Sequence, residues 1–246
     1  MEYQKDYRSG STYTQERSEV SSIQMTTAAA YRHMYGWMTA AFCLTGFAAY
    51  FTSDLMFRNE AVLMGLIQFR WILLLATFGL VMWISAGIQR MSFSTATVLF
   101  ALYSVVMGVS LAPIFLIYTM ASIAKVFFIT AGTFGSMALI GHITKADLSK
   151  IGQICFMGLI GIIIASLVNW FFKSPMVDYI VSGVGVLIFC GLTMWDVQKM
   201  KSIIYSYGDM ADEQISKIAL LGALSLYLDL INLFLYLLRF FGSRRD

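Results

Sequence analysis

The sequence predicts an all-α integral membrane protein with seven transmembrane helices. Three observations predict it. Of 246 residues, 59% are hydrophobic and 13% are charged, where a soluble domain carries about 25% charged residues. The apolar residues form long blocks rather than a helical stripe, with charge-free runs at 33–53, 71–89, 91–124, 126–144, 151–172 and 179–195, and a last run, 218–238, interrupted only by Asp229. Each block reaches or approaches the roughly 20 apolar residues that a helix needs to cross the hydrocarbon of a bilayer.

The elements follow in order. Arg32 and Asp54 bound the first run, and Arg70 and Arg90 bound the second. The run 91–124 is too long for one crossing; with 126–144 it makes two, breaking after Pro113 and before Lys125. Proline removes a backbone donor and interrupts a helix there. The fifth run lies between Lys150 and Lys173. The spans fall at about 31–53, 71–89, 94–116, 122–143, 151–172, 178–205 and 215–240, all within one membrane domain, 23–246. Residues 1–22, "MEYQKDYRSGSTYTQERSEVSS", are polar, lack the apolar core of a signal peptide and are expected to be a disordered tail.

Lys and Arg in short loops set orientation. With seven crossings the N-terminal side carries ten of them and the opposite side seven, three of these being Arg239, Arg244 and Arg245 in the C-terminal tail. The N-terminus is therefore expected in the cytoplasm. A last segment that re-entered the same side would move that tail, but 218–238 is long enough to cross. The net charge of +3 gives no nucleic-acid signal. Cys43, Cys155 and Cys190 lie inside spans without paired spacing, and His33 and His142 are isolated, so all five read as packing or interfacial residues and no metal or resident cofactor is implied.

Two carboxylates stand out. Asp229 sits mid-span in "SLYLDLINLFLYLL", where a charge costs about 2.5 kcal/mol or more. Asp196, in "GLTMWDVQKMK", lies at the edge of the sixth apolar run. The midpoint between them falls in "GDMADE", 208–213, where Gly208 suits a helix end and Asp209 the cap of the next helix. The intervening "VQKMKSIIYSY" keeps a helical period, so span 6 is expected to continue past Asp196. An antiparallel hairpin about that turn puts both aspartates roughly 20 Å from its tip, level with each other.

Span 7 carries a polar stripe at helical spacing: Gly222, Ser225, Asp229, Asn232, Tyr236 and Arg239. Span 6 offers Ser182, Gly185, Thr193 and Asp196. Such faces point into a bundle rather than at lipid. For Ser225, Asn232 and Tyr236 helix–helix adhesion suffices, whereas an adhesive role alone does not account for two carboxylates. Arg90, just after span 2 in "SAGIQRMS", is long enough to reach inward to such a pair. From spacing alone, a stop-transfer charge snorkelling to headgroups is an equal reading of it.

"SLYLDLINLFLYLLRFFG", preceded by "MWDVQKMK", resembles the C-terminal signature of the Bax inhibitor-1 family of bacterial and organellar membrane proteins. The likeness extends more loosely over 25–242, through "VSLAPIFLIY" and "FFITAGTFGSMALIGHIT". It implies a fold in which the last helix is central and six others wrap around it. It implies a hydrogen-bonded aspartate pair with perturbed pKa values, matching Asp196 and Asp229, and a helix-2 arginine that engages them, matched to Arg90. The implied activity is a pH-sensitive calcium leak, with ties to cell-death suppression in eukaryotes and to a membrane protease in bacteria. The short chain and simple tail suggest a bacterial inner membrane.

The chemistry of the residues is compatible with that activity. Neighbouring carboxylates in a low dielectric cannot both ionise readily, so they share a proton and titrate as a pair. Proton binding at Asp196 and Asp229, in competition with Arg90, would then set whether a cation path is open. Two carboxylates are too few for a tight calcium site, which takes six to eight oxygens, and suit a weak transit site. A non-transporting adaptor of a membrane protease or stress response is the rival reading. An intramembrane aspartyl protease is more remote: such enzymes carry Gly-x-Gly-Asp and Pro-Ala-Leu elements, whereas the context here is "LYLD" and the prolines are Pro113 and Pro175.

Overall fold

A computed structural model gives the fold, with backbone described for residues 3–206 and 212–245 and side chains for 27–206 and 213–245. Among the described residues eight helices follow in order: α1 (Tyr3–Arg58), α2 (Glu60–Gly87), α3 (Phe93–Leu111), the single turn α4 (Ile114–Ile117), α5 (Met120–Ile143), α6 (Ser149–Phe172), α7 (Pro175–Ser206) and α8 (Asp212–Phe241). Seven stretches are long and apolar enough to cross a membrane, α3 and α4 together making the third. No strand occurs among the described residues beyond one isolated bridge.

Helix ends follow local chemistry. The Asn59 side chain accepts the Ala61 N–H at 2.9 Å to start α2, and Ser92 and Thr119 do the same for α3 and α5. Pro113 separates α3 from α4 at the expected break, and Tyr118 turns extended before α5 begins. The α6–α7 connection is fastened by Asn169, whose amide donates to Asp178 Oδ1 at 2.8 Å and to the Ser174 carbonyl at 3.1 Å, and accepts the Ser174 N–H. Lys173, at φ 51°, makes the left-handed turn between them. On the other face, Gln198 of α7 holds the α5–α6 connection through the Leu148 N–H and the Ala146 carbonyl.

One expectation changes here, and another lies outside the described residues. The α1 backbone is helical back to Tyr3, inside the stretch read as a disordered tail; its Lys, Arg, Gln and Glu residues propagate a helix at little cost. The 208–213 turn falls mostly outside the described residues, although α7 does run past Asp196 to Ser206 and α8 does start at Asp212.

Helix α8 is the axis of the bundle. α1, α3, α5 and α7 pack directly along it, while α2 rests chiefly on α3 and α6 on α7. The wrapping is thus two-layered rather than a ring of six. Ala223, Leu226, Tyr227 and Leu233 of α8 are wholly buried. Conversely, the outer faces of α2 and α6 expose Trp71, Leu75, Trp83, Ile154, Trp170 and Phe171, which is the pattern expected of lipid-facing surface.

Connections alternate between two faces. One, the N-terminal face, carries 88–92 and 144–148; the other carries Asn59, 118–119 and 173–174. The C-terminal tail ends on the second, where Arg244 bridges to Tyr118, the Thr119 N–H donates to Ser243 O, and the Arg245 N–H donates to Ile117 O at 2.8 Å. The last helix therefore crosses completely.

Candidate functional site

Asp196 and Asp229 meet at the contact between α7 and α8. Both are buried, at 8% and 5% exposure. Ser225, one turn before Asp229 on α8, donates its hydroxyl to Asp196 Oδ2 in a short hydrogen bond. Asp229 stands one turn beyond Ser225 on the same face of α8. Its Oδ2 is buried and has no hydrogen-bond partner. One carboxyl of the pair is thus held by a donor and the other has an oxygen left bare.

The stripe on α8 does face α7, because the two helices approach closely along it. A Cβ on Gly185 would meet the Tyr236 ring, and one on Gly222 would come within 2.9 Å of Met200 Sδ. Tyr236 stacks on Phe189 with centroids 5.6 Å apart and lies under the Arg239 guanidinium. Asn232 donates to its own helix, at Leu228 O. Ser182 and Thr193 on α7 likewise bond carbonyls four residues back. Of the three stripe residues expected to support the pair, Ser225 touches it directly, while Tyr236 and Asn232 do not.

Arg90 is not brought to the aspartates. α2 ends at Gly87, the Arg90 N–H bonds Gly87 O at 2.9 Å to close a turn, and the side chain is exposed. No ion pair reaches Asp196 or Asp229 among the described residues. The cation one turn on from Asp196 along α7 is Lys199, with its ammonium 4.8 Å from the Trp195 ring centroid. The i, i+3 spacing of Asp196 and Lys199 was available in the sequence as a signal for it.

A cleft of about 560 Å³ opens on the N-terminal face between the end of α2, α7 and α8. Its walls include Gln89, Met200, Lys217 and Leu221. Met200 and Leu221 stand one turn from Asp196 and Ser225, so the cleft ends near the level of the pair. Lys217 at its wall pairs with Glu213 at 3.0 Å.

A second buried polar cluster ties α8 to α1 and α3. Thr45 Oγ1 lies 2.7 Å from the Tyr227 hydroxyl and 2.9 Å from Ser104 O, with Phe100 and Tyr103 edge-on to the Tyr227 ring. Sequence reasoning missed it, since Tyr227 lies off the polar stripe.

Comparison with known proteins agrees with this architecture. The chain is 46% identical over 218 residues to the inner membrane protein YbhL of Escherichia coli K12, covering 86% of this chain and 90% of that one. It is 43% identical over 219 residues to the Rickettsia prowazekii protein RP147, covering 87% and 89%. A Borreliella burgdorferi protein is 43% identical over 240 residues, covering 95% and 98%. The family model described as inhibitor of apoptosis-promoting Bax1 matches residues 27–246, the whole membrane domain with its aspartate-bearing hairpin, and the chain therefore belongs to the Bax inhibitor-1 family.

Proposed function

We propose that the chain is a pH-sensitive leak pathway for calcium, or for cations of like charge, in which protonation of Asp196 and Asp229 sets whether the path is open. The observation that carries this reading is the bare Oδ2 of Asp229. A buried carboxylate without a donor is costly, so the site favours a bound proton or a passing cation over an empty charge. Ser225 gives Asp196 a donor that Asp229 Oδ2 lacks, which makes the two carboxyls unequal and lets one proton serve the pair.

The cleft beside Met200 and Leu221 supplies an approach from the N-terminal face, which we place in the cytoplasm of a bacterium. The cation is substrate rather than resident: two carboxylates and a hydroxyl fall short of the six to eight oxygens of a tight calcium site, which suits transit. Arg90 would engage the pair only in a second conformation, by swinging inward from its exposed turn. Membership of the Bax inhibitor-1 family supports the reading.

Calcium flux into liposomes loaded with the protein, followed from pH 5 to 8, tests it. The wild type should show a pH-dependent flux, Asp229→Asn should flatten the profile, and Arg90→Gln should displace it. A pH profile in Asp229→Asn unchanged from wild type would sink the mechanism. Absence of flux from every variant, with a membrane protease co-purifying, would favour the adaptor reading instead.

A further inference from the structure

We propose that the C-terminal-face end of the groove between α1 and α5 is a binding site for one phospholipid, with an acyl tail lying in the groove and the phosphate held by Arg245. The groove is about 470 Å³ and almost entirely apolar. Its lining comes from α1, α3, α4 and α5, with Ile231 and Phe234 of the central helix at its base. A Cβ on Gly46 would meet nothing within 4 Å, so a side chain there would enter the groove, and Phe128 at the rim is 73% exposed. A void against packed side chains forfeits dispersion contacts, and in a bilayer the filler at hand is an acyl tail.

The headgroup end identifies the lipid class. Phe115, which lines the groove, accepts from Arg245 Nη1 through its carbonyl at 3.3 Å, and the same guanidinium lies 5.5 Å from the Phe57 ring centroid. With its backbone N–H fixed on Ile117 O, Arg245 is held over the groove mouth and remains exposed. No carboxylate pairs with it among the described residues. Lys125, one turn into α5, is a second exposed cation at this level without an ion pair there. Trp71 and Trp170, edge-on at 6.3 Å, mark the interfacial depth on the same face. A planar guanidinium at that depth matches a phosphate. An apolar groove capped by a preorganised arginine is complementary to a tail capped by a phosphodiester.

The test uses the full-length chain in detergent, titrated with palmitoyl-oleoyl-phosphatidylglycerol and read by native mass spectrometry. One equivalent should persist under activation that strips the rest. Gly46→Leu and Ala124→Leu, both pointing into the groove, should each weaken retention tenfold or more. Gly161→Leu, on the open face of α6, should leave it unchanged. Arg245→Gln should lower retention of the phosphatidylglycerol at least threefold, to that of palmitoyl-oleoyl-glycerol, which lacks the phosphate. Two groove variants that melt like wild type yet retain lipid equally would overturn the proposal. So would a wild-type preference for the phospholipid that survives Arg245→Gln, or a lipid-free dimer that Gly46→Leu dissociates. The readout is lipid retention, so it stands or falls separately from calcium flux.

Discussion

Gly108 on α3 carries the closest approach of α1 and α3, and Gly108→Ala should be expensive. A Cβ there would sit 2.7 Å from Ala48 Cβ and nearer still to the Thr45 carbonyl. Ordinary contact starts at 3.4 Å, and the Thr45 carbonyl sets the displacement, so the helices must part by about 1 Å, and small-to-large changes of this kind cost about 1–3 kcal/mol. The same displacement stretches the Thr45–Ser104 bond from 2.9 Å to roughly 3.9 Å, beyond hydrogen-bonding range. It also loosens Thr45 from Tyr227, and buried polar contacts between membrane helices average about 0.6 kcal/mol each. The total is about 2–4 kcal/mol. Equilibrium unfolding in mixed micelles measures it. Thr45→Val, which deletes both interhelical bonds without adding bulk, should cost about 1 kcal/mol. The double variant should fall short of additivity by about that amount, because Gly108→Ala has already broken those bonds. A Gly108→Ala chain within about 0.5 kcal/mol of wild type, or full additivity, would refute the reasoning.

Other outcomes follow from the same contacts. Asn169→Ala should destabilise by about 1–3 kcal/mol, since it leaves the Ser174 N–H and the Asp178 carboxylate without their partner; Asn232→Ala, whose amide bonds only its own helix, should cost under about 0.5 kcal/mol, and equal costs would contradict this assignment. In a background without the native cysteines, Ser243→Cys should react with a membrane-impermeant maleimide from outside intact cells and Ser92→Cys only after lysis. Labelling of both from one side would refute seven crossings. Asp229→Asn should leave unfolding stability unchanged or raise it by about 1–3 kcal/mol, by removing an unsatisfied buried carboxyl; a loss larger than about 2 kcal/mol would assign Asp229 to the fold instead.

The legible parts of the fold are those that the bilayer enforces. Hydrocarbon thickness demands spans of a given length, so the block between Lys150 and Lys173 translates directly into α6, whereas α2 begins before Arg70, at Glu60, and was only partly marked by its charge-free run. Pro113 broke the long run where its missing N–H required. Equal counting from a turn placed Asp196 level with the segment Ser225–Asp229 even though the turn lies outside the described residues. What counting along the chain does not supply is rotation about each axis. That rotation decides that Ser225 gives its hydroxyl to Asp196 and leaves Asp229 Oδ2 bare. Arg90 failed to reach the pair for a local reason, because the chain turns on Gly87 O before the side chain can enter. The layering of α2 and α6 outside the others, and the Thr45–Tyr227 cluster, depend on contacts between spans far apart in sequence, with Gly108 as the main trace.

The treatment of buried polar groups elsewhere in the bundle shows how unusual Asp229 is. Ser104, Thr130, Ser182 and Thr193 each return their hydroxyl to a carbonyl four residues back, at 2.6–2.8 Å, which makes a neutral group inexpensive inside the membrane. Asn169 is satisfied on both amide atoms, and Asp196 has Ser225. The other bare atoms among the described side chains, Tyr31 Oη and Thr97 Oγ1, are hydroxyls. Among the described residues Asp229 is the one carboxyl with a bare buried oxygen, at the centre of the most enclosed helix, where asparagine would pack without a charge to neutralise. A chain that keeps the costlier residue there gives up stability at that position, and such positions are where proteins trade stability for activity. The cleft on one face and the lipid groove on the other both end on α8, so what happens at Asp229 and what occupies each of them act on the same helix.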